Sequence, residues 1–262
     1  MIAADTHAHF YSAFDRDRYF DAAQTNLASA IEMSETPTYR LLVLTDGGHW
    51  DAFGDLLRDA ENRTDASRWK PTRTHEASSV RMINEHGDEI FVLAGAQIVT
   101  SERIEVLWLA ERDRVADGIN LDELLQISSD RDIPTVLPWG VGKWLGKRAK
   151  RLASVLTSEP RPGLFIGDIH GRPRVWGTPK LFTKARRAGF RSLCGTDPLP
   201  LRWDEARVGR FGTLLQGTFD PDVPAASFRN LLNHGDWQVR SFGRRQSTLP
   251  FLRNQIGLRL NK

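Results

Sequence analysis

Residues Asp5–Phe10 read DTHAHF, with His7 and His9 one residue apart at the end of the chain's first apolar run and an aspartate two residues before them. Alternate side chains of a β-strand share a face, so His7 and His9 point one way, and Asp5 joins them if the strand stays regular that far. Two imidazoles and a carboxylate aimed at one point suit a metal ion. A short histidine pair is equally at home as two half-buried side chains. Its position favours the metal, because the C-terminal ends of strands are where parallel α/β barrels collect their chemistry.

Working outward, strand and helix signals alternate for most of the length, which predicts a mainly parallel sheet wrapped by helices. IAADTHAHF is the first strand, and residues 18–33 follow with Phe20, Ala23, Leu27, Ala30 and Ile31 at helical spacing. TYRLLVLTD is a buried strand ending at Asp46, HWDAFGDLLRDAEN a helix, and 64–77 a polar loop. The rhythm then changes: SSVRMIN, EIFVLAGAQIVT and RIEVLWLA are extended runs separated only by EHGD and SE, which is a meander. NLDELLQISSD is a helix capped by Asn120, followed by the strand IPTVLP, a basic helix over KWLGKRAKRLASVLTS and the strand GLFIGD. PKLFTKARRAG and RSLCGTD make one more helix-strand unit. Helices are expected near 225–234 and 248–258, so the chain is read as one domain, 1–262, with a helical C-terminal extension from about residue 203.

With 262 residues and 40% hydrophobic content, the chain can bury a substantial core. It has no run of 18 apolar residues and no basic-then-apolar leader pattern, so a soluble cytoplasmic protein away from membranes is expected. Cys194 is the single cysteine, which excludes an internal disulfide and any cysteine-based zinc cluster. A metal site must then be built from His, Asp and Glu, donors that suit Zn, Mn or Fe. Net charge is only +3, but residues 1–140 hold 13 Lys/Arg against 25 Asp/Glu and residues 141–262 hold 23 against 8. The basic half can steer an anionic ligand, or the halves can simply attract each other. Its cations are not interleaved with aromatic residues, which argues against nucleic acid. Oligomeric state is not legible.

Polar residues at the predicted strand ends form a set: Asp5, His7 and His9; Asp46 and His49; Glu105; Trp139 with Lys143; Asp168, His170 and Arg172; and Asp197. Any one acid alone reads as a helix cap. Together, the strings DTHAHF, LTDGGH, AGAQIVTSERIEVLWL, TVLPWG, GDIHGRP and LCGTDPLP resemble, in order and approximate spacing, the metal-dependent phosphoesterase family called PHP (polymerase and histidinol phosphatase). The resemblance runs to about Pro200 and implies a distorted (β/α)7, TIM-like α/β barrel, here carrying the β-meander as an insertion. His7 and His9 match the family's first motif, Asp46 its Thr-Asp-His aspartate, and Asp197 its late Gly-Ser-Asp aspartate.

The departures are specific. The family's meander glutamate is Gln97, the histidine before VLWL is Glu105, the His-Pro histidine falls near Trp139, and the final histidine is Leu199. Neutral glutamine cannot bridge two metals as a carboxylate does, and tryptophan cannot ligate, so one or two divalent ions are expected. The wider amidohydrolase superfamily is similar, but its further barrel histidines have only His170 to supply them. GDIHG also resembles the opening motif of calcineurin-like phosphatases, whose later motifs are absent. GVGKW lacks the first glycine and the Ser/Thr of a phosphate loop.

The resemblance implies a metal-dependent hydrolase, a phosphoesterase acting on a small anionic substrate. Metal contacts are assigned to His7, His9, Glu105 and Asp197, with His170 and Asp168 as additions. Asp46 or Asp197 would orient the attacking water. Lys143 and Arg172 would hold the substrate's charge, and Gln97 and Trp139 would line the pocket. Two alternatives stand beside this: a barrel with too few metal ligands for catalysis that binds an anionic ligand or protein partner, and an amidohydrolase-type C–N or C–O hydrolase.

Overall fold

The computed structural model describes residues 1–31, 38–62, 66–235, 237 and 240–260. Strand β1 (Ile2–Ala8) leads into helix α1 (Arg16–Ile31); the last two positions of the expected helix, 32 and 33, lie outside the described residues. Strand β2 (Tyr39–Asp46) and helix α2 (Ala52–Asn62) complete the first repeat. Next come β3 (Lys70–Arg73), β4 (Ser79–Ile83), β5 (Glu89–Val99) and β6 (Glu105–Leu109), consecutive antiparallel neighbours. The meander is therefore present, and β3 extends it into what reads as loop. β3 pairs with β4 alone and contains Pro71. Proline is tolerated on an edge strand, but its presence makes such a strand read as non-strand.

Helix α3 (Leu121–Asp130) starts at Asn120, whose side chain accepts from the Glu123 backbone N–H. Strand β7 (Thr135–Pro138), helix α4 (Gly146–Leu156), strand β8 (Leu164–Ile169), helix α5 (Lys180–Arg187) and strand β9 (Ser192–Gly195) restore the alternation, with β7, β8 and β9 parallel. The remainder is not a helical extension. A 3-10 turn (Arg202–Arg207) precedes β10 (Phe211–Leu215), helix α6 (Pro224–His234), β11 (Arg240–Gly243) and helix α7 (Thr248–Leu260). β10 pairs antiparallel with β1, and β11 with β10. The sheet order is β11-β10-β1-β2-β5-β6-β7-β8-β9, bent into a nearly closed, TIM-like barrel.

Both faces of this sheet are buried, which is why its strands read as near-continuous apolar runs. Ile2, Ala4, Leu41, Val43, Phe91, Leu93, Leu107, Val136, Phe165 and Leu193 fill the interior, closed below by Phe228, Leu231 and Leu232 of α6. The intervening residues, such as Leu42, Leu44 and Val92, or Val106, Leu137 and Ile166, pack under the outer helices. No helix among the described residues is long and apolar enough to cross a membrane.

Between β9 and β1 no backbone ladder is formed, and side chains hold the seam. Thr6 donates to the Cys194 carbonyl, the Asp5 carboxylate accepts from the Thr196 N–H, and Thr213 Oγ1 accepts from the Cys194 N–H. The Asp197 N–H donates to the His7 carbonyl at 2.7 Å.

Candidate metal centre

The β1/β2 register shifts between Asp5 and Ala8. Ala3 and Ala8 consequently both face the outer cluster, although a regular strand would put them on opposite faces. The irregularity turns Asp5 away from the two histidines. Its carboxylate accepts from the N–H groups of His7, Thr196 and Gly209 and ties the seam together. Burial raises its pKa to about 6 despite those bonds.

His7 and His9 do converge. Their Nε2 atoms are 3.1 Å apart, and each lies 3.5 Å from Asp197 Oδ1. Three donors held about 2.05 Å from a tetrahedral ion stand about 3.3 Å from one another, so the trio fits a three-ligand centre with an open position. Among the described residues this is the one cluster of three or more His, Cys, Asp or Glu donors close enough to share an ion.

Two backbone features bring Asp197 into place. A Cβ at Gly195 would lie 2.4 Å from His7 N and 2.5 Å from His7 Cβ, so only glycine lets β9 run this close to β1. Asp197 itself has φ 50°, left-handed backbone that a non-glycine residue adopts at a cost of order 1–3 kcal/mol and that concentrates at functional sites.

The electrostatics keep the donors in their ligating forms. Burial lowers His7 to about 4; Asp197 opposes this, while His9 and Lys143 reinforce it and a Gln97 side-chain hydrogen bond again opposes it. Burial alone would raise Asp197, but His7, His9 and Lys143 hold its carboxyl well below the usual range. The imidazole is neutral and the carboxylate charged at neutral pH, as ligation requires.

Lys143 pairs with Glu105 across the mouth of the centre. Glu105 is paired with an ammonium and is not one of the three clustered donors. The Gln97 side chain lies within reach of His7 and partly offsets the effect of its burial. The Asp46 Oδ2 atom accepts from the Phe53 N–H at the start of α2, its buried Oδ1 has no hydrogen-bond partner among the described residues, and burial raises its pKa to about 7 while the Phe53 N–H and His9 lower it.

Asp168 and Arg172 satisfy each other. Arg172 Nε and Nη2 donate to the two oxygens of Asp168 at 2.7 and 2.5 Å, with the residues only 4% and 6% exposed. Arg172 Nη1 also donates to the Trp176 and Gly177 carbonyls. A buried bidentate pair that anchors its own loop has nothing left for a metal or a substrate. His170 presents Nδ1 to the Arg244 carbonyl at 2.8 Å and stays outside the trio. Trp139 is buried with the α3 and α4 core, its ring 6.1 Å from Trp176. Asp168, His170, Arg172 and Trp139 are thus not part of the trio, although His170 lines the cavity beside it.

Tyr11 was not anticipated. Its ring centroid is 5.5 Å from that of His9, and burial, then Asp197 and Glu105, push its hydroxyl well above its ordinary value, so it remains a neutral donor. It continues the alternation His7, His9, Tyr11, a signal present in the sequence. The trio opens beside a cavity of about 250 Å³ whose wall includes Asp197, Lys143, Thr196, His170 and Arg207.

No protein-family model matches the chain, and no curated protein matches its sequence. Among solved structures, PsfC from Pseudomonas syringae PB-5123 is similar over 99% of this chain and 98% of its own, with a TM-score of 0.57 at 18% identity. The lesion-specific endonuclease PfuEndoQ from Pyrococcus furiosus is similar over 92% of this chain, which spans 58% of that one, with a TM-score of 0.52 at 12% identity. Endonuclease Q in complex with a 27-mer duplex carrying an abasic lesion at the active site has a TM-score of 0.50 at 12% identity, this chain covering 59% of it. At these identities the likeness is one of fold, a TIM-like α/β barrel.

Proposed function

We propose that the protein is a metal-dependent hydrolase of phosphoesters. The observation that carries this reading is the trio of Nε2, Nε2 and Oδ1 donors at 3.1–3.5 Å, drawn from the first and last strands of the barrel proper, beside a cavity that also receives Lys143. His7, His9 and Asp197 would hold a divalent ion, which would supply a water of near-neutral pKa and polarisation of a phosphoryl oxygen. Lys143 meets the phosphoryl charge as a point cation. The Tyr11 hydroxyl donates to an oxygen of the substrate. Asp46, within electrostatic reach of His9, takes a proton from the attacking water.

The endonuclease neighbour bound to duplex DNA bears on the substrate class. Trp176 and Trp203 are 42% and 43% exposed, and each contacts a cavity-lining residue, Phe251 and Asn254 respectively. Aromatic residues therefore do stand beside the basic surface, and nucleic-acid phosphodiesters join small phosphoesters within the proposed class. The amidohydrolase alternative would use His170 as a ligand through Nε2, its Nδ1 being held by the Arg244 carbonyl.

The experiment is metal analysis of protein purified without chelator, beside a phosphoester screen. At least one Zn, Mn or Fe ion per chain is expected, lost in His7→Ala/His9→Ala while the circular dichroism is retained. Full metal content in the double variant refutes the centre. A metal-loaded protein without turnover on any phosphoester favours the second reading, a barrel in which Gln97, Trp139 and Leu199 at the family's ligand positions leave binding without catalysis.

A further inference from the structure

Beyond the metal cavity runs an open groove of about 660 Å³, and the two share His170, Arg207 and Gln246. Five arginines line the groove, at positions 174, 207, 210, 244 and 245. Arg207 is paired with Asp204. The other four have no carboxylate at ion-pair distance among the described residues, whereas arginines 58, 68, 114 and 131 elsewhere on the surface each have one.

Arg210 and Arg244 stand immediately beyond the last β10/β11 pair, Phe211 with Gly243. The end of that ladder sets two cations against each other, an arrangement that is destabilising unless an anion lies between them. Gln246, 4% exposed, gives a second and independent sign. Its backbone is fixed by bonds to His170 and Arg174, and its buried Nε2 donor has no hydrogen-bond partner among the described residues. An unmatched buried donor on the wall common to both cavities calls for an acceptor there.

We infer that this groove is a second phosphate-binding subsite, so that the ligand carries one phosphoryl group at the metal cavity and another among Arg210, Arg244, Arg245 and Arg174, with Gln246 donating at the junction. Guanidinium groups grip phosphate with two parallel hydrogen bonds, and four without competing carboxylates supply more donors than one phosphoryl group can use. The inference rests on the phosphoester reading only for the first of the two groups.

The test titrates full-length protein by calorimetry with inorganic phosphate, with pyrophosphate, with an alkane bisphosphate and with a short oligodeoxynucleotide. Arg210→Gln/Arg244→Gln changes two exposed side chains and should leave metal content and melting temperature in phosphate-free buffer at or above those of the parent. The expected result is that the parent binds the best of the multiply charged ligands at least tenfold tighter than inorganic phosphate and that the double variant loses this preference. Retained preference in the double variant, or none in the parent, overturns the subsite. The bisphosphate and oligonucleotide arms show which molecule bears the second group. Pyrophosphate binding is repeated in His7→Ala/His9→Ala: if it persists there, a failed metal centre and a failed groove are distinguishable, since only the latter abolishes the effect of the arginine substitutions.

Discussion

Replacing Gly195 with alanine tests the central geometric claim with a single methyl group. The new Cβ would meet His7 N at 2.4 Å, His7 Cβ at 2.5 Å and His7 Cα at 2.8 Å. Two of these three are backbone atoms, so no rotamer change relieves the clash. Ordinary contact begins near 3.4 Å, and β1 and β9 must separate by about 1 Å. Overpacking of this kind costs about 1–3 kcal/mol. The consequence for the metal is larger in proportion, because ligand distances tolerate only about ±0.2 Å and the Asp197 carboxylate moves with β9 while both imidazoles move with β1. Gly195→Ala should therefore remain folded, melt several degrees lower, and bind metal at least tenfold more weakly in a competition titration with a chromogenic chelator. Alanine at Gly217, which abuts the movable Leu231 side chain, serves as a control that leaves the centre alone. Parent-like metal affinity in Gly195→Ala would refute the account of how the seam positions the trio.

Gln97→Glu places a carboxylate beside His7 and should raise metal stoichiometry from one toward two by elemental analysis; unchanged stoichiometry would show that position 97 does not face the ion. Asp168→Asn leaves the buried Arg172 charge uncompensated and should cost about 3–5 kcal/mol in urea unfolding, whereas Asp168→Leu/Arg172→Met should recover most of that; equal losses would argue against a buried pair. Burial, with Arg207 and Arg210 contributing, lowers His170 to about 4 from 6.5. Its folded value lies below its unfolded one, so it supports stability above pH 6.5 and that support drains away as the pH falls toward 4. Asp5 and Asp46, raised to about 6 and 7, act in the opposite sense, since protonation favours their folded forms and their contribution is lost as the pH rises. His170→Gln keeps these carboxyls, so the difference between the two unfolding profiles isolates the histidine and should amount to about 3 kcal/mol between pH 6.5 and 4; superimposable profiles would reject the shift.

Much of the barrel was legible because it rests on local rules. Near-continuous apolar runs marked β1, β2 and the meander, and Asn120 marked the start of α3. His7, His9 and Asp197 were legible too, two by alternation along one strand and one by motif. Tertiary context decided what was not. The bulge that turns Asp5 aside leaves no trace in DTHAHF. The i, i+4 pairing of Asp168 with Arg172 is chemically indistinguishable, in sequence, from two free strand-end charges. β10 is a short strand completed by β1, some 200 residues away in the chain, β11 is added to it in turn, and Gln246 acquires meaning only where they end.

The side-chain seam between β1 and β9 has a consequence for the order of events in the cell. His7 and His9 leave the ribosome before Asp197, which follows only after nearly 190 further residues. A nascent chain therefore carries two imidazoles without their carboxylate, a weak and unselective pair. The third donor arrives when β9 docks against β1, so an ion would be selected by an assembled sheet rather than by an exposed peptide. Once bound, the ion spans the one junction that lacks a ladder, and it withdraws the folded state from the unfolding equilibrium in proportion to its free concentration. Metal supply would then set the lifetime of the closed barrel as well as its chemistry.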